Sequence, residues 1–268
     1  MISVIVPTLG YRIIEMQRLF DSLHNQTYQN FEIILITQDN HECVHFLNTH
    51  QLNIKHIQLY RSGLSYARNE GLKNVNGNII VFSDDDCWYP HNAFEKVMNY
   101  FQSYQQSNIL CFQIFDPVKK QHYKKYSKRV IPKMNLMNLL KVSSIEFFIK
   151  IDSKNELDYI KFDENFGLGT NFPSGEENIF LSDLYKKRYI ISYIPDTIVF
   201  HKKPDTNSRL TENQIISKGP LFKRIFNMPI SFILLLIFFI KKRKYILNPW
   251  DLWKKTVKQT FKYRKGDM

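Results

Sequence analysis

Asn78-Ile79-Ile80-Val81-Phe82-Ser83-Asp84-Asp85-Asp86 is the stretch on which the fold turns. A short β-branched and aromatic run that stops at a polar cluster reads as a buried strand. The carboxylates at its end bring several negative charges to one point on a sheet edge. Like charges that close raise one another's pKa, a cost that a cation removes. Oxygen-only donors suit a hard divalent ion such as Mg or Mn, which can also hold a substrate phosphate. The same residues would also suit a solvated turn that caps the following helix. The tripeptide alone leaves both readings open.

Outward from this strand, two periodicities alternate. Ile2 to Val6, Phe31 to Ile36, Ile54 to Leu59 and Ile79 to Phe82 read as strands. Between them, Ile13 to His24 places apolar residues at 13, 16, 19, 20 and 23, a helical spacing. His41 to Thr49 and Leu64 to Leu72 also read as helices. Strands alternating with helices imply right-handed crossovers and a mainly parallel, Rossmann-like sheet. In such sheets the ligand crevice lies beyond the carboxyl ends of the strands, where the triplet stands. Further on, 93–104 and Glu176 to Arg188 read as helices. Ile109 to Phe115, Glu146 to Ile151 and Thr197 to His201 read as strands. Pro117 to Arg129 is a basic loop that is either solvated or meets an anionic substrate.

The chain of 268 residues is long enough for one large domain with an appendage, and its net charge of +12 is unevenly placed. Thirteen Lys or Arg against two Asp lie from Lys218 onward. A nucleic-acid footprint would spread basic charge over the folded core, so no nucleic-acid partner is expected. Three cysteines, Cys43, Cys87 and Cys111, contain no Cys-x-x-Cys pair, which points away from a disulfide framework and toward a reducing compartment. The first residues show neither a basic flank nor a long apolar run, so no signal peptide is expected.

The last part of the chain differs in character. Met228 to Ile240 is thirteen residues without a charge, followed at once by Lys241-Lys242-Arg243-Lys244. A full membrane span needs about 20 apolar residues. Pro249-Trp250-Asp251-Leu252-Trp253-Lys254-Lys255 then interleaves Trp with Lys, as helices on anionic lipid do. Residues 206–268 therefore read as a basic, apolar helical tail lying on a membrane, or as a helical hairpin packed on the domain that 1–205 form.

The motifs, taken in order, resemble those of the inverting, metal-dependent family 2 glycosyltransferases of GT-A fold, which use nucleotide sugars. The matching segments are Val4-Ile5-Val6-Pro7-Thr8, Gln26-Thr27-Tyr28-Gln29-Asn30-Phe31-Glu32-Ile33-Ile34, Gly63-Leu64-Ser65-Tyr66-Ala67-Arg68-Asn69-Glu70-Gly71, Asp84-Asp85-Asp86 and Gly175-Glu176-Glu177. The resemblance covers about residues 1–205.

It implies roles residue by residue. Pro7, Thr8 and Asp39 hold the nucleotide base. Arg68 binds phosphate or ribose, with a surface pair to Glu70 or Glu15 as the plain alternative. Asp84 faces the ribose, Asp85 ligates Mn or Mg, and Asp86 ligates indirectly. Glu177, paired with Glu176, is the catalytic base. Ser174-Gly175-Glu176-Glu177 also has the spacing of a capping box. His201 is a further candidate for the metal or the donor phosphates. The chain departs from the family pattern at Gln38-Asp39-Asn40-His41, at Ser83, where the family's acidic motif often starts, and at Glu177, where Asp is usual.

The resulting expectation is a cytoplasmic enzyme, peripheral to the inner face of the cell membrane. It would move a sugar from a UDP-sugar to a hydroxyl of a glycan or lipid-linked acceptor, with an anionic membrane surface as partner of its tail. Two alternatives compete with it. A sugar-phosphate nucleotidyltransferase would need a glycine-rich phosphate loop where Pro7-Thr8-Leu9-Gly10-Tyr11-Arg12 holds a single glycine. A non-catalytic membrane-docking module on a degenerate transferase fold would not need its acids.

Overall fold

The computed structural model describes residues 1–204 and 211–264. The expected boundary at 205/206 falls outside the described residues. β1 (Ile2–Thr8) and β2 (Phe31–Thr37) are buried along their whole length and pair in parallel. β3 (Ile54–Gln58) extends the sheet beyond β2, and β4 (Ile79–Phe82) lies on the other side of β1; both join in parallel. Apolar runs of this kind belong at the centre of a sheet covered on both faces. The covering comes from α1 (Ile13–His24), which buries Met16, Leu19, Phe20 and Leu23, and α2 (Leu64–Leu72), which buries Ala67, Arg68 and Leu72.

The second half adds α3 (Ala93–Ser103), β5 (Ile109–Asp116), β6 (Gln121–His122), α4 (Leu136–Leu139), β7 (Phe147–Lys150), α5 (Glu176–Lys186) and β8 (Ile191–Phe200). The strand order is β3-β2-β1-β4-β7-β5-β6, with β8 beside β5. β7 runs antiparallel between β4 and β5, and β8 is parallel to β5. The sheet is mixed with mostly parallel strands, flanked by helices.

Three elements differ from their reading in the sequence. His41 to Thr49 forms only a 3-10 turn, His41–Phe46, with Cys43 as its one buried residue. One inward side chain does not hold a longer helix, and His50 and Gln51 follow with positive φ. The basic loop contains the two residues of β6. β8 begins six residues before the expected Thr197 and runs through Pro195. Its register against β5 shifts between Cys111 and Gln113, and that bulge admits a residue with no N–H to give.

The C-terminal residues form α6 (Glu212–Ile216), α7 (Lys218–Ile225), α8 (Met228–Lys242) and α9 (Pro249–Lys262). They fold back as a packed helical unit. Ile215, Leu221, Phe222, Ile225, Leu235, Phe239 and Leu252 share one apolar cluster with Phe166, Phe172 and Ile179. Arg224 locks α7 to α5 through both oxygens of Asp183, at 3.0 and 2.7 Å, and reaches Asp163 at 2.8 Å. α8 buries Ser231, Leu235 and Phe239 and leaves Ile230, Ile233, Leu236, Ile237 and Ile240 exposed. At about 1.5 Å per residue it is far shorter than a bilayer core. No helix among the described residues is long and apolar enough to cross a membrane.

Candidate active site

Two adjoining cavities of about 360 and 350 Å³ open at the carboxyl ends of β1 and β4. Each lies in the size range of small-molecule sites. One is lined by Pro7, Thr8, Tyr11, Arg12, Gln38 and the acidic triplet. The other is lined by Arg68, Tyr123, Ser174, Glu176, Glu177 and Lys218, among others. Leu64, Asp84, Leu168 and His201 line both, so the two halves are one cleft with Asp84 and His201 at its waist.

The first half begins where β1 ends. Thr8 Oγ1 donates to Asp85 Oδ2 at 2.7 Å, and Arg12 Nη1 lies 3.1 Å from Asp85 Oδ1. Burial, with Asp86 and Asp84 close by, raises the Asp85 carboxyl against the pull of Thr8 and Arg12. Asp39 stands exposed beyond the lining residues, where the Tyr11 hydroxyl donates to it at 2.8 Å.

At the waist, His201 Nε2 is 3.0 Å from Asp86 Oδ1. Burial alone would lower the imidazole; the hydrogen bond and charge of Asp86 outweigh it and raise the pKa. Asp86 is correspondingly held low: burial works upward, and His201 and Arg12 overcome it. Ligand-type atoms of Asp84, Asp86 and His201 all lie within 4.8 Å of one another. The two carboxylates of this set suit a hard divalent cation such as Mn or Mg, with the imidazole as a third donor. His201 Nδ1 lies 2.6 Å from the Lys202 carbonyl, so an Nδ1–H bonded there leaves Nε2 to face the cluster. Asp116 accepts from the Lys203 amide at 2.7 Å and fixes the segment behind the ring. Asp85, the ligand expected from sequence, lies outside this trio and is held by Thr8 and Arg12 instead. Asp84, expected to face the ribose, stands at the junction of the two halves.

Arg68 is 1% exposed. Its Nη1 donates to Glu176 Oε1 at 3.0 Å, and its Nη2 to Asp84 Oδ1 at 3.1 Å and Ser144 Oγ at 2.9 Å. It faces neither Glu70 nor Glu15. Its role in the geometry is to brace two acids from opposite sides of the cleft, and its buried Nε has no hydrogen-bond partner among the described residues.

The capping box suggested by Ser174 and Glu177 does not form. The residue before α5 is Gly175, at φ 88°, and no side chain caps the helix. The positive φ favours glycine, and a Cβ there would also fall 2.5 Å from the end of the Leu221 side chain, which would have to shift. The Ser174 hydroxyl accepts from Lys218 Nζ at 3.2 Å instead. Glu177 is thus left free of a capping duty and lines the second half. Burial, reinforced by Glu176, pushes its carboxyl up to about 8, with Arg68 and Lys218 working against the rise. Burial in turn lowers Lys218. Lys218 and Gln214 come from the C-terminal helices and were not singled out in sequence. Nothing in a basic segment marks which lysine will enter a cleft formed some forty residues earlier.

The comparisons agree with this architecture. The model of Glycosyl transferase family 2 matches residues 3–167, more than half of the chain, and the chain belongs to that family. Glycosyltransferase GlyA of Streptococcus pneumoniae serotype 4 is 31% identical over 120 residues, covering 41% of this chain and 17% of its own length. The minor teichoic acid biosynthesis protein GgaB of Bacillus subtilis is 28% identical over 180 residues, covering 62% of this chain and 20% of its own. The chain thus spans about a fifth of the length of these relatives. S. aureus TarS 1-349, solved in complex with UDP-GlcNAc, aligns with a TM-score of 0.67 at 20% identity, over 84% of this chain and 66% of that one. Mannosyltransferase PcManGT from Pyrobaculum calidifontis, in complex with GDP-Man and Mn²⁺, aligns with a TM-score of 0.59 at 15% identity, over 96% and 73%. At such identities the likeness establishes the fold, which is GT-A.

Proposed function

We propose that the protein transfers a glycosyl group, with inversion, from a nucleotide diphosphate sugar to an acceptor hydroxyl. The observation that carries this reading is the shared waist of the cleft. Asp84 and His201 line both halves, so a donor whose nucleoside fills the half at Pro7 and Thr8 leaves its diphosphate at the cluster and its sugar beside Glu177. UDP is the first donor nucleotide to test, as TarS has been solved with UDP-GlcNAc.

Glu177 takes the proton from the acceptor hydroxyl as that oxygen bonds to the anomeric carbon. The bond to the diphosphate oxygen breaks on the opposite face, and the nucleoside diphosphate leaves with the electron pair. A positioned base of this kind contributes roughly 10²–10⁴-fold. Asp84, Asp86 and His201 would hold Mn²⁺ or Mg²⁺, which when bound supplies positive charge against the leaving diphosphate. Asp85 keeps the Thr8 hydroxyl in place on the donor side. Gln214 and Lys218 wall the acceptor side.

The acceptor in this proposal is a glycan or a lipid-linked saccharide of a surface polymer, consistent with the teichoic acid naming of GgaB. The exposed apolar ridge of α8 and the basic residues after it favour a location on an anionic membrane surface, peripheral to its cytoplasmic face. The test is a panel of nucleotide sugars with Mn²⁺, scored for release of nucleoside diphosphate. At least one donor should react with wild type, and Glu177→Gln should bind it while turnover falls at least a hundredfold. Undiminished turnover in Glu177→Gln would sink the assignment of the base.

A further inference from the structure

The acidic triplet already has a cation on it, supplied by the chain itself. Arg12 Nη1 lies 2.6 Å from Asp86 Oδ2 and 3.1 Å from Asp85 Oδ1. His201 takes the other oxygen of Asp86. Both oxygens of a cluster carboxylate are therefore engaged, one by another member of the cluster and one by an arginine that does not belong to it.

The three arginines near the triplet are held very differently. Arg68 is buried with three side-chain partners. Arg18 donates to the Asp86 carbonyl at 2.9 Å and stacks 3.8 Å from the centre of the Trp88 ring. Arg12 has a side chain 56% exposed, and among the described residues its ion pairs are those with Asp85 and Asp86 alone. It is brought there by the turn after β1. Gly10, at φ 83°, lies so close to Asn40 that a Cβ would fall 2.1 Å from the Asn40 carbonyl oxygen. That turn is pinned by Asn40 Nδ2 donating to the Gly10 carbonyl at 2.9 Å. The backbone is fixed and the guanidinium is loosely anchored, at the edge of the donor half that it lines.

We propose that Arg12 is a resident counter-cation for the triplet. It holds Asp85 and Asp86 while the cleft is empty, yields to a divalent cation, and moves onto the diphosphate of the incoming nucleotide. The inference rests on Asp84, Asp86 and His201 being the ion's ligands. Asp86 has no oxygen to spare, with His201 on one and Arg12 on the other, so the guanidinium and a divalent ion compete for its charge. A displaced guanidinium has a partner at hand, because its planar fork matches phosphate oxygens and the donor diphosphate would cross the waist beside it. Arg12 therefore makes ion binding and nucleotide binding depend on each other, and such a coupling acts equally in both directions.

The experiment is a Mn²⁺ titration followed by electron paramagnetic resonance on the full chain, with and without UDP, for wild type, Arg12→Gln and Arg12→Lys. Without UDP, R12Q should bind Mn²⁺ at least about fivefold more tightly than wild type, the lower end of usual coupling strengths. R12K keeps a charge but loses the fork, and should fall between the two. With UDP present the order should reverse, because R12Q lacks the group that holds the diphosphate. Mn²⁺ affinity in R12Q equal to or weaker than wild type without UDP overturns the inference and leaves the ion site standing. Failure of all three proteins to bind Mn²⁺ with or without UDP overturns the ion site and the inference together. If R12Q does not fold, R12K alone decides, by binding Mn²⁺ without UDP more tightly than wild type or not.

Discussion

Arg68 and Glu176, 108 residues apart, meet in an ion pair of 3.0 Å that joins the two acidic sites of the cleft. Through Nη2 the same guanidinium reaches Asp84 at 3.1 Å. The helix that bears Arg68 thus sets the spacing between the ion cluster and the start of the helix that carries Glu177. Arg68→Ala would leave Glu176 and Asp84 without their counter-charge. Removing one partner of a buried pair costs about 3–5 kcal/mol. Thermal unfolding should show that loss, and a change of less than about 1 kcal/mol would mean that the pair does not brace the fold.

Much of this was legible in the sequence, and the parts that were not share a cause. The central strands were readable because fully buried strands are short apolar runs, and the triplet marked where one of them stops. The pairing of acids with their partners was not. Sequence points Arg68 at phosphate or ribose, with a surface pair to Glu70 or Glu15 as the alternative, and only the return of the chain at Glu176 and Ser144 shows where its donors go. Ser174 and Glu177 had the spacing of a cap, but local spacing carries no information about Leu221, which crowds Gly175 and sets the turn. Sequence points to Asp85 as the ligand, whereas the structure groups Asp84 and Asp86 with His201, a neighbour more than a hundred residues away that local spacing does not announce. The first half of β8 was not legible, since the bulge that lets it pass through Pro195 is a property of two strands.

The pH dependence follows from Glu177. A base must be ionised to accept a proton, and the Glu177 carboxyl in the empty cleft is pushed up to about 8, chiefly by burial and then by Glu176. kcat/KM, which reports the free enzyme, should therefore rise with pH through a limb near that value. Lys218 opposes the shift, so Lys218→Met should move the limb to higher pH. A limb that stays in place in Lys218→Met, with donor binding intact, would show that this lysine does not act on the base.

The same group has a stability signature of opposite sense. A carboxyl whose folded pKa lies above its ordinary 4.5 binds a proton in the fold that the unfolded chain has already released. Between those values stability falls as pH rises, because the unfolded state holds fewer protons. Glu177→Gln cannot ionise, so its unfolding midpoint, relative to that of wild type, should climb between pH 5 and pH 8. Parallel curves for the two proteins across that range would contradict the raised pKa.

The ion cluster makes a prediction separable from catalysis. Asp86→Asn keeps the shape of the side chain but removes the negative charge that attracts a cation and pairs with His201 at 3.0 Å. Mn²⁺ binding in the presence of UDP should weaken at least tenfold. Asp85→Asn removes a carboxylate held by Thr8 and Arg12, outside the trio, and should weaken it less. If Asp85→Asn has the larger effect, the ion sits one residue earlier in the triplet than the geometry indicates.

α8 is packed on one side only. Ser231, Leu235 and Phe239 face the domain, while Ile233, Leu236 and Ile240 face outward, with Lys241, Arg243 and Lys244 exposed just beyond them. The membrane location proposed above would lay this helix in the plane of the lipid surface, with its apolar ridge among the acyl chains and its cations at the headgroups. Sedimentation with vesicles containing anionic lipid should carry down the wild-type protein. Changing Ile233, Leu236 and Ile240 together to Ser should weaken binding at least tenfold, since each large aliphatic side chain contributes about 1.5–3 kcal/mol when fully buried. The unfolding midpoint should hardly move, because these side chains touch little in the fold. Changing Lys241 and Lys244 to Gln should remove about 1 kcal/mol each at low salt and little at high salt. Vesicle binding that survives both sets of changes would show that the ridge does not meet lipid.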